Sequence, residues 1–413
     1  MEMMLSSYRV LDLTSGGYLM AGRVLADLGA DVVKIEKPGG DDSRNRGPFY
    51  HQTPDPEKSL FWFAYNLGKR GITLDISKPD GKELFKKLVK NTQVVLESYP
   101  PGYMEELGLG YAALSQINPG VILTSITPYG QSGPYAAYEA SDIVMMGMGG
   151  LAYITGYPDG PPMRPSCPQS AVVAGCQAAA ATTIALFHKS MTGEGQHVDT
   201  STQASVAWTM TNAVSMWELS QFNIRRLGSV LRGREGGPRQ HLLWQCKDGY
   251  VVFPIMGGVF FSGDNNALTK WMDEEGMADD FLREFDWENY DMAEATQEIH
   301  SRLENPIGLF FLTHTREELY DGGFKRGIKI YPSHSPKGVL NDPQLKARDY
   351  WVKVNHPELD QDLTYPGSFY QTTGSAFRAA RRPPLVGEHN PDLYSEIGLS
   401  AAEMQILKQS SII

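Results

Sequence analysis

The chain has 413 residues, 41% hydrophobic and 21% charged, and its 37 Lys+Arg stand against 48 Asp+Glu for a net charge of −11. This composition excludes disordered, collagen-like and coiled-coil chains, and the length suffices to bury a core without disulfide or metal staples. An acidic balance also argues against non-specific nucleic-acid or anionic-membrane binding, while leaving room for a local basic pocket that takes a small anion.

The chain opens on Met1-Glu2-Met3-Met4, which has neither the basic region nor the apolar run of a signal peptide. Arg9–Leu13 reads as a strand, Thr14–Tyr18 as a Gly-containing turn, Leu19–Leu28 as a helix ending at Gly29, and Val32–Glu36 as the next strand. Gly71–Ile76 is a further strand, and Pro79-Asp80 opens a helix that runs to Lys90. Val94–Glu97 and Val121–Thr127 are two more strands with a helix between them. Strands alternating with helices predict an α/β fold with a parallel, helix-covered sheet. A Pro/Gly-rich loop spans Gly156–Pro168, and Ala171–His188 follows as a small-residue helix. Its Ala content and the polar Gln177, Thr182 and Thr183 favour a buried helix over a membrane span. His197–Thr200 reads as a strand and Ser201–Leu219 as one helix. Arg225–Arg239 is basic and Gly-rich, as expected of a linker or binding loop. His241–Gln245 and Tyr250–Pro254 flank Lys247-Asp248-Gly249, a hairpin signal. Short helices are expected from Ala267 to Arg326, a strand at Ile328–Ile330 and a helix at Trp351–Val354.

Motifs for chemistry are few. The cysteines Cys167, Cys176 and Cys246 form no CxxC and no zinc spacing, so neither a disulfide framework nor a metal site is expected, and a reducing cytoplasm fits. Ser15-Gly16-Gly17 between a strand and a helix lacks G-x-G-x-x-G spacing, and no P-loop or G-x-S-x-G elbow occurs. Lys37, Arg44, Arg46, Lys69 and Arg70 follow or flank strands, where cations can hold phosphates beyond the carboxyl ends of a parallel sheet. Asp142 is a possible acid or base, and equally a capping residue.

Taken together, several runs resemble family III CoA-transferases. They are Arg9–Leu13, Ala30–Gly39, Asn66–Asp75, Asn118–Ile122, Tyr129–Pro134, Thr192–Gln196 and Leu385–Asn390. The resemblance implies a large Rossmann-like domain built from both termini (1–220 and 335–413) and a small domain with linkers (221–334), with two chains interlocked as rings. It implies CoA thioesters as substrates, no permanently bound cofactor and no metal. Lys37 and Lys69 match the family's CoA-contacting positions, and Ser98 and Tyr99 lie in its CoA loop.

The family's chemistry uses an Asp that attacks the donor thioester and carries the acyl group as an anhydride, then CoA as a thioester. Counting back from Thr192 or from Gly175 reaches position 171, which is Ala171, and neither Gln169 nor Ser170 is a carboxylate. The racemase branch of the family pairs that Asp with a His where this chain has Ser141. Glu106 replaces an Arg that supports the CoA phosphates, so an engineered exchange at 171 alone does not account for the chain. The resemblance therefore predicts a non-catalytic subunit of a heteromeric transferase, with an Asp-containing paralogue as partner. The two-subunit enzymes that move CoA from succinyl-CoA to benzylsuccinate in anaerobic toluene breakdown are the nearest kind. The alternatives are an active homomeric transferase, either carrying an engineered Asp→Ala exchange at 171 or using another nucleophile with Asp142 as the outside candidate, and a non-enzymatic acyl-CoA-binding protein.

Overall fold

The computed structural model describes residues 3–232, 238–292, 294–374 and 381–413. In chain order the first elements are β1 (Arg9–Leu13), α1 (Met20–Asp27), β2 (Asp31–Glu36), α2 (Leu60–Asn66), β3 (Arg70–Thr73), α3 (Pro79–Val89) and β4 (Val94–Glu97). They continue with α4 (Tyr103–Glu106), α5 (Tyr111–Ile117), β5 (Ile122–Thr127), α6 (Asp142–Met148), α7 (Leu151–Ile154), α8 (Ser170–Thr192) and β6 (Gln196–Ser201). The strands form one sheet in the order β3-β2-β1-β4-β5-β6, and every neighbouring pair is parallel. This is the doubly wound α/β arrangement the strand–helix alternation predicts, with its order reversing between β1 and β4.

The sheet is buried on both faces, which is why its central strands read as nearly continuous Val, Leu and Ile. Leu11, Val33, Ile72, Val95 and Leu123 face a core that includes Leu84, Phe85 and Leu88 of α3. Val10, Val32, Val94, Leu96 and Ile122 face the opposite core, with Leu25 of α1 and Ala174, Ala178 and Ala179 of α8. A Cβ at Gly175 would lie 3.1 Å from the Ala21 nitrogen, so small residues let α8 lie directly on α1. By length and composition α8 alone, among the described residues, is apolar enough to cross a membrane. In the fold its Ala stripe packs on α1 and the sheet, as a core helix does.

The chain forms two compact units. The first comprises Met1–Ala152, Arg164–Asn223 and Lys346–Ile413, and so includes the sheet. The second comprises Tyr153–Met163 and Ile224–Leu345. The expected single helix over 201–219 is two, α9 (Thr202–Trp208) and α10 (Thr211–Ser220), because Met210 leaves helical geometry at φ −110 and ψ 23.

The second unit holds β7 (Val230–Arg232), β8 (Arg239–His241), β9 (Leu243–Cys246), β10 (Gly249–Val252), α11 (Ser262–Glu274), α12 (Asp280–Glu284), α13 (Gln297–Thr313), α14 (Arg316–Arg326) and β11 (Tyr331–Ser333). The anticipated hairpin is present as β9 against β10, and β11 adds on the other side of β10. That third strand falls after Ile328 and Ile330, which are buried in the core instead. Residues 233–237 of the basic, Gly-rich stretch lie outside the described residues.

Beyond α15 (Pro336–Asn341) and α16 (Pro343–Ala347), the expected helix at 351–354 is a strand, β12 (Trp351–His356), paired antiparallel with β13 (Gln361–Pro366). The alternating Val352, Val354 and His356 suit a half-buried strand, and the partner is not visible in a four-residue window. Two helices, α17 (Asn390–Glu396) and α18 (Ala401–Gln409), end the chain.

Candidate functional site

In an open parallel sheet, ligands bind beyond the carboxyl ends of the strands where the order reverses. Here that place is the end of β1 and β4. The turn after β1 is held at nearly every polar atom. Thr14 donates through N and Oγ1 to Asp12 Oδ1 at 2.9 and 2.5 Å, and its carbonyl accepts from Lys34 Nζ at 2.6 Å. Ser15 N donates to Ser98 Oγ at 3.0 Å, Ser15 Oγ to Asp41 Oδ1 at 2.9 Å, and Gly16 N to Ser43 Oγ at 2.8 Å. Gly16 sits at φ +61, a left-handed conformation that a side chain would strain.

The first turn of α8 meets this turn. A Cβ on Gly17 would stand 2.7 Å from the Ala171 Cβ, so Gly17 is what admits α8. Asp142, at the start of α6, caps α8 from outside the helix. Its Oδ1 accepts from Gln169 N, Ser170 N and Ser170 Oγ at 2.9, 2.9 and 2.8 Å. These bonds satisfy donors that the helix leaves open, and Gln169 itself supplies no cap. Asp142 Oδ2 is buried without a hydrogen-bond donor and lies 3.8 Å from the Arg164 guanidinium. The structure thus brings Ala171, Asp142, Gly17 and Ser98 to one region.

The basic residues separate into different environments. Lys69 is fully buried, its ammonium bound to Asp12 Oδ2, Leu19 O and Asn66 Oδ1 at 2.8, 2.9 and 3.0 Å, so its three donors are all used inside the fold. Burial lowers its pKa to about 8, against the pull of Asp12. Arg44 is buried between Glu36 and Glu57, and Arg70 pairs with Asp31 and Glu396 at the opposite, amino edge of the sheet. Two cations remain exposed near the carboxyl edge. Lys37 directly follows β2. Arg46 places its guanidinium 3.5 Å from where a Cβ of Gly16 would be. Glu106 is exposed on α4. Tyr99 is half-buried, its ring 4.8 Å from that of Tyr103.

Sequence reasoning passed over Glu97. It ends β4, is buried, and accepts from Tyr99 N at 2.7 Å. Burial pushes its carboxyl up to about 7, against the opposing bonds from Ser125 and Tyr99 N and with the help of nearby Glu105 and Asp199. Such a group can take or give a proton near neutrality. The only signal in the sequence is a carboxylate closing the apolar run Val94-Val95-Leu96.

The aromatic run at 61–65 is mostly core: Trp62 and Phe63 are buried with Leu19, Leu67 and Tyr365. A cavity of about 1120 Å³ opens between α1, α2, α8 and the β12–β13 hairpin, lined by Phe63, Tyr65, Ala179, Ile184 and Phe369 among others. It follows the later turns of α8 and does not include Ala171. Among the described residues no three His, Cys, Asp or Glu side chains are grouped to hold a metal ion.

The model of CoA-transferase family III matches residues 5–390. The chain belongs to CoA-transferase family III. This family III chain is 32% identical over 407 residues to the succinyl-CoA:(R)-benzylsuccinate CoA-transferase subunit BbsE of Thauera aromatica, covering 97% of this chain and 96% of that one. It is 29% identical to the succinate–glutarate CoA-transferase of Agrobacterium fabrum, covering 95% of each. Its fold superposes on a CaiB/BaiF family protein from Brucella suis with a TM-score of 0.83 at 27% identity, covering 96% of this chain and all of that one. The family's substrates are CoA thioesters, which the enzymes use without a resident cofactor.

Proposed function

We propose that this chain is the non-catalytic subunit of a heteromeric CoA-transferase that moves CoA from succinyl-CoA to an organic acid of the benzylsuccinate type. The observation that carries the reading is Ala171. Its methyl group opens α8 beside the Gly16–Gly17 turn, where the family's nucleophilic Asp is expected, and a methyl group cannot hold an acyl group. The likeness to a chain named as a subunit of such an enzyme supports the same reading.

In this reading a paralogous partner supplies the Asp. Lys37 and the Ser98–Tyr99 loop keep part of a CoA site that Glu106 weakens, since a carboxylate near phosphates is repulsive. Lys69 contributes from inside, by fixing β1 through Asp12, rather than by touching CoA. The two chains interlock in the cytoplasm, in keeping with the free cysteines. Support for a large covered surface comes from Ile184, Phe187 and Met191 on α8 and Trp217 and Leu219 on α10, all exposed.

Intact-mass spectrometry tests the proposal. After incubation with succinyl-CoA, only a co-purifying Asp-containing chain should gain acyl or CoA mass. A second reading, a homomeric enzyme with Asp142 as nucleophile, is favoured by the buried, donor-free Oδ2 of that residue. An adduct on this chain alone that Asp142→Asn abolishes would establish it in place of the first.

A further inference from the structure

Two arginines on the segment after β2 are used differently. Arg44 is buried, and its guanidinium serves the fold: Nε and Nη2 donate to the two carboxylate oxygens of Glu36 at 2.6 and 2.8 Å, Nη1 to Glu57 at 2.6 Å, and Nη2 also to Pro384 O at 2.9 Å. Arg46 is exposed, and its guanidinium has no hydrogen bond or ion pair among the described residues. It rests against the Phe61 ring, 5.4 Å from the centroid, a contact that leaves the in-plane N–H donors free.

The backbone under this free cation is fixed. Arg46 N donates to Ser43 O at 3.2 Å, and the Arg46 carbonyl accepts from Ser59 Oγ at 2.6 Å. Ser43 Oγ also accepts from Gly16 N at 2.8 Å, so one serine ties the base of Arg46 to the turn after β1. The guanidinium is aimed at that turn. The three atoms nearest the place of a Gly16 Cβ are Arg46 Nη1, Nη2 and Cζ, at 3.5, 3.7 and 3.9 Å. Both terminal nitrogens are closer than the carbon between them, so the guanidinium presents its two-pronged end to the turn. The next residue, Gly17, meets the Ala171 methyl by the same measure at 2.7 Å. Arg46 and position 171 therefore flank adjacent glycines, whose α-carbons stand ~3.8 Å apart, a separation of the order of that between the two carboxyl carbons of a four-carbon diacid.

The carboxylates around this turn each have cations or donors of their own. Asp41 lies 3.6 Å from the Lys34 ammonium and accepts from Ser15 Oγ and Ser43 N. Asp142 accepts from the start of α8 and lies 3.8 Å from Arg164. Asp42, exposed on the short turn before Arg46, makes no ion pair with it. Over the turn, then, one positive charge keeps its paired N–H donors open. A guanidinium in that state suits a carboxylate, which it can bind through two parallel hydrogen bonds.

We propose that Arg46 binds the free carboxylate of a short dicarboxylic acyl group whose thioester end lies at position 171, and so selects dicarboxylic over monocarboxylic acyl-CoA. The inference rests on the transferase reading, which supplies the place of the thioester. Calorimetric titration of the full chain, with any co-purifying chain, tests it with succinyl-CoA, butyryl-CoA and free CoA as probes. Succinyl-CoA and butyryl-CoA share a four-carbon acyl group and differ in the terminal carboxylate. Succinyl-CoA should bind at least tenfold more tightly than butyryl-CoA. Arg46→Gln and Arg46→Met should each remove that preference by weakening succinyl-CoA alone. Lys86→Gln, which removes a surface pair with Glu83, should leave all three affinities unchanged. Thermal melts show whether each variant is folded, and if one unfolds the other still decides. Equal binding of the two thioesters by the parent, or an undiminished preference in a folded Arg46 variant, overturns the proposal and leaves the transferase reading standing. An equal loss for both thioesters and for free CoA also overturns it, and makes Arg46 a phosphate contact. No binding of any CoA compound overturns the proposal together with the CoA site that the transferase reading gives this chain.

Discussion

Restoring a carboxylate at position 171 is the sharpest perturbation the site allows. Ala171 is the second residue after the N-cap Gln169 of α8. Replacing Ala by Asp inside a helix costs up to about 0.7 kcal/mol in propensity, while a negative charge in the first turn returns about 0.3–1 kcal/mol. Repulsion from Asp142, which caps the same turn, costs about 1 kcal/mol at an effective dielectric well above that of dry protein. The sum is a loss of about 1 kcal/mol, or a fall in Tm of about 2–4 °C for units of this size. Position 171 is half-exposed, so the longer side chain can reach solvent. Ala171→Asp should therefore fold. After incubation with succinyl-CoA it should gain acyl or CoA mass that the unaltered chain does not, alone or with any co-purifying chain. Intact-mass spectrometry reads the adduct and a thermal melt reads the fold. A variant with an unchanged melt and no adduct in either setting would refute the claim that 171 is the nucleophile's place.

Four other changes probe the same frame. Gly17→Ala would bring two methyl groups to 2.7 Å, and the shift of α8 needed to relieve this should cost about 1–3 kcal/mol, visible in urea unfolding. Asp142→Ala should lose about 1–2 kcal/mol of capping at α8, whereas Asp142→Asn keeps an acceptor and should lose less, a comparison that melts can make. Lys69→Met would leave Asp12 buried without its cation and should cost about 3–5 kcal/mol; Asp12→Asn in the same chain should recover part of it. Glu97 supplies a pH test. Its folded pKa of about 7 is above the ordinary 4.5, so the folded state prefers the protonated form, and stability is full below about 4.5 and is lost as pH rises towards 7. The loss amounts to about 3 kcal/mol, and Glu97→Gln should flatten it, so that the variant gains on the parent at pH 8 in denaturant titrations.

The sheet was readable because a parallel strand buried on both faces leaves a local mark, a short run rich in Val, Leu and Ile. β1, β4 and β5 fall within a residue of where such runs place them. The small-residue helix was readable for a similar reason, since Ala and Gly at its inner face are a local property. What escaped depends on residues far apart. Lys69 looks like a ligand-facing cation until Asp12, 57 residues earlier, is seen to bind it. β12 looks helical in four residues and becomes a strand only with β13 beside it. Asp142 reads in the sequence as an acid, a base or a cap, and the donors it caps, on Gln169 and Ser170, lie 27 and 28 residues on. Glu97 needed a measure of burial that no pattern of neighbours provides.

The way the first unit is assembled from three stretches of chain bears on the order in which the protein is made. The β3 edge of its sheet is finished by α17: Asn390 Oδ1 accepts from Thr73 N, Asn390 Nδ2 donates to Thr73 Oγ1, and the Tyr394 hydroxyl donates to Thr73 O. Ile412 and Ile413 then close the core over Leu74 and Ile76. Residues that leave the ribosome first thus wait for partners 317 to 321 positions later. The second unit, nearly continuous between Ile224 and Leu345, has its contacts in hand well before that. Synthesis therefore yields a folded second unit attached to an unfinished sheet whose edge and apolar face stay open until the final stretch emerges. That interval is when a chaperone has its best access to the sheet.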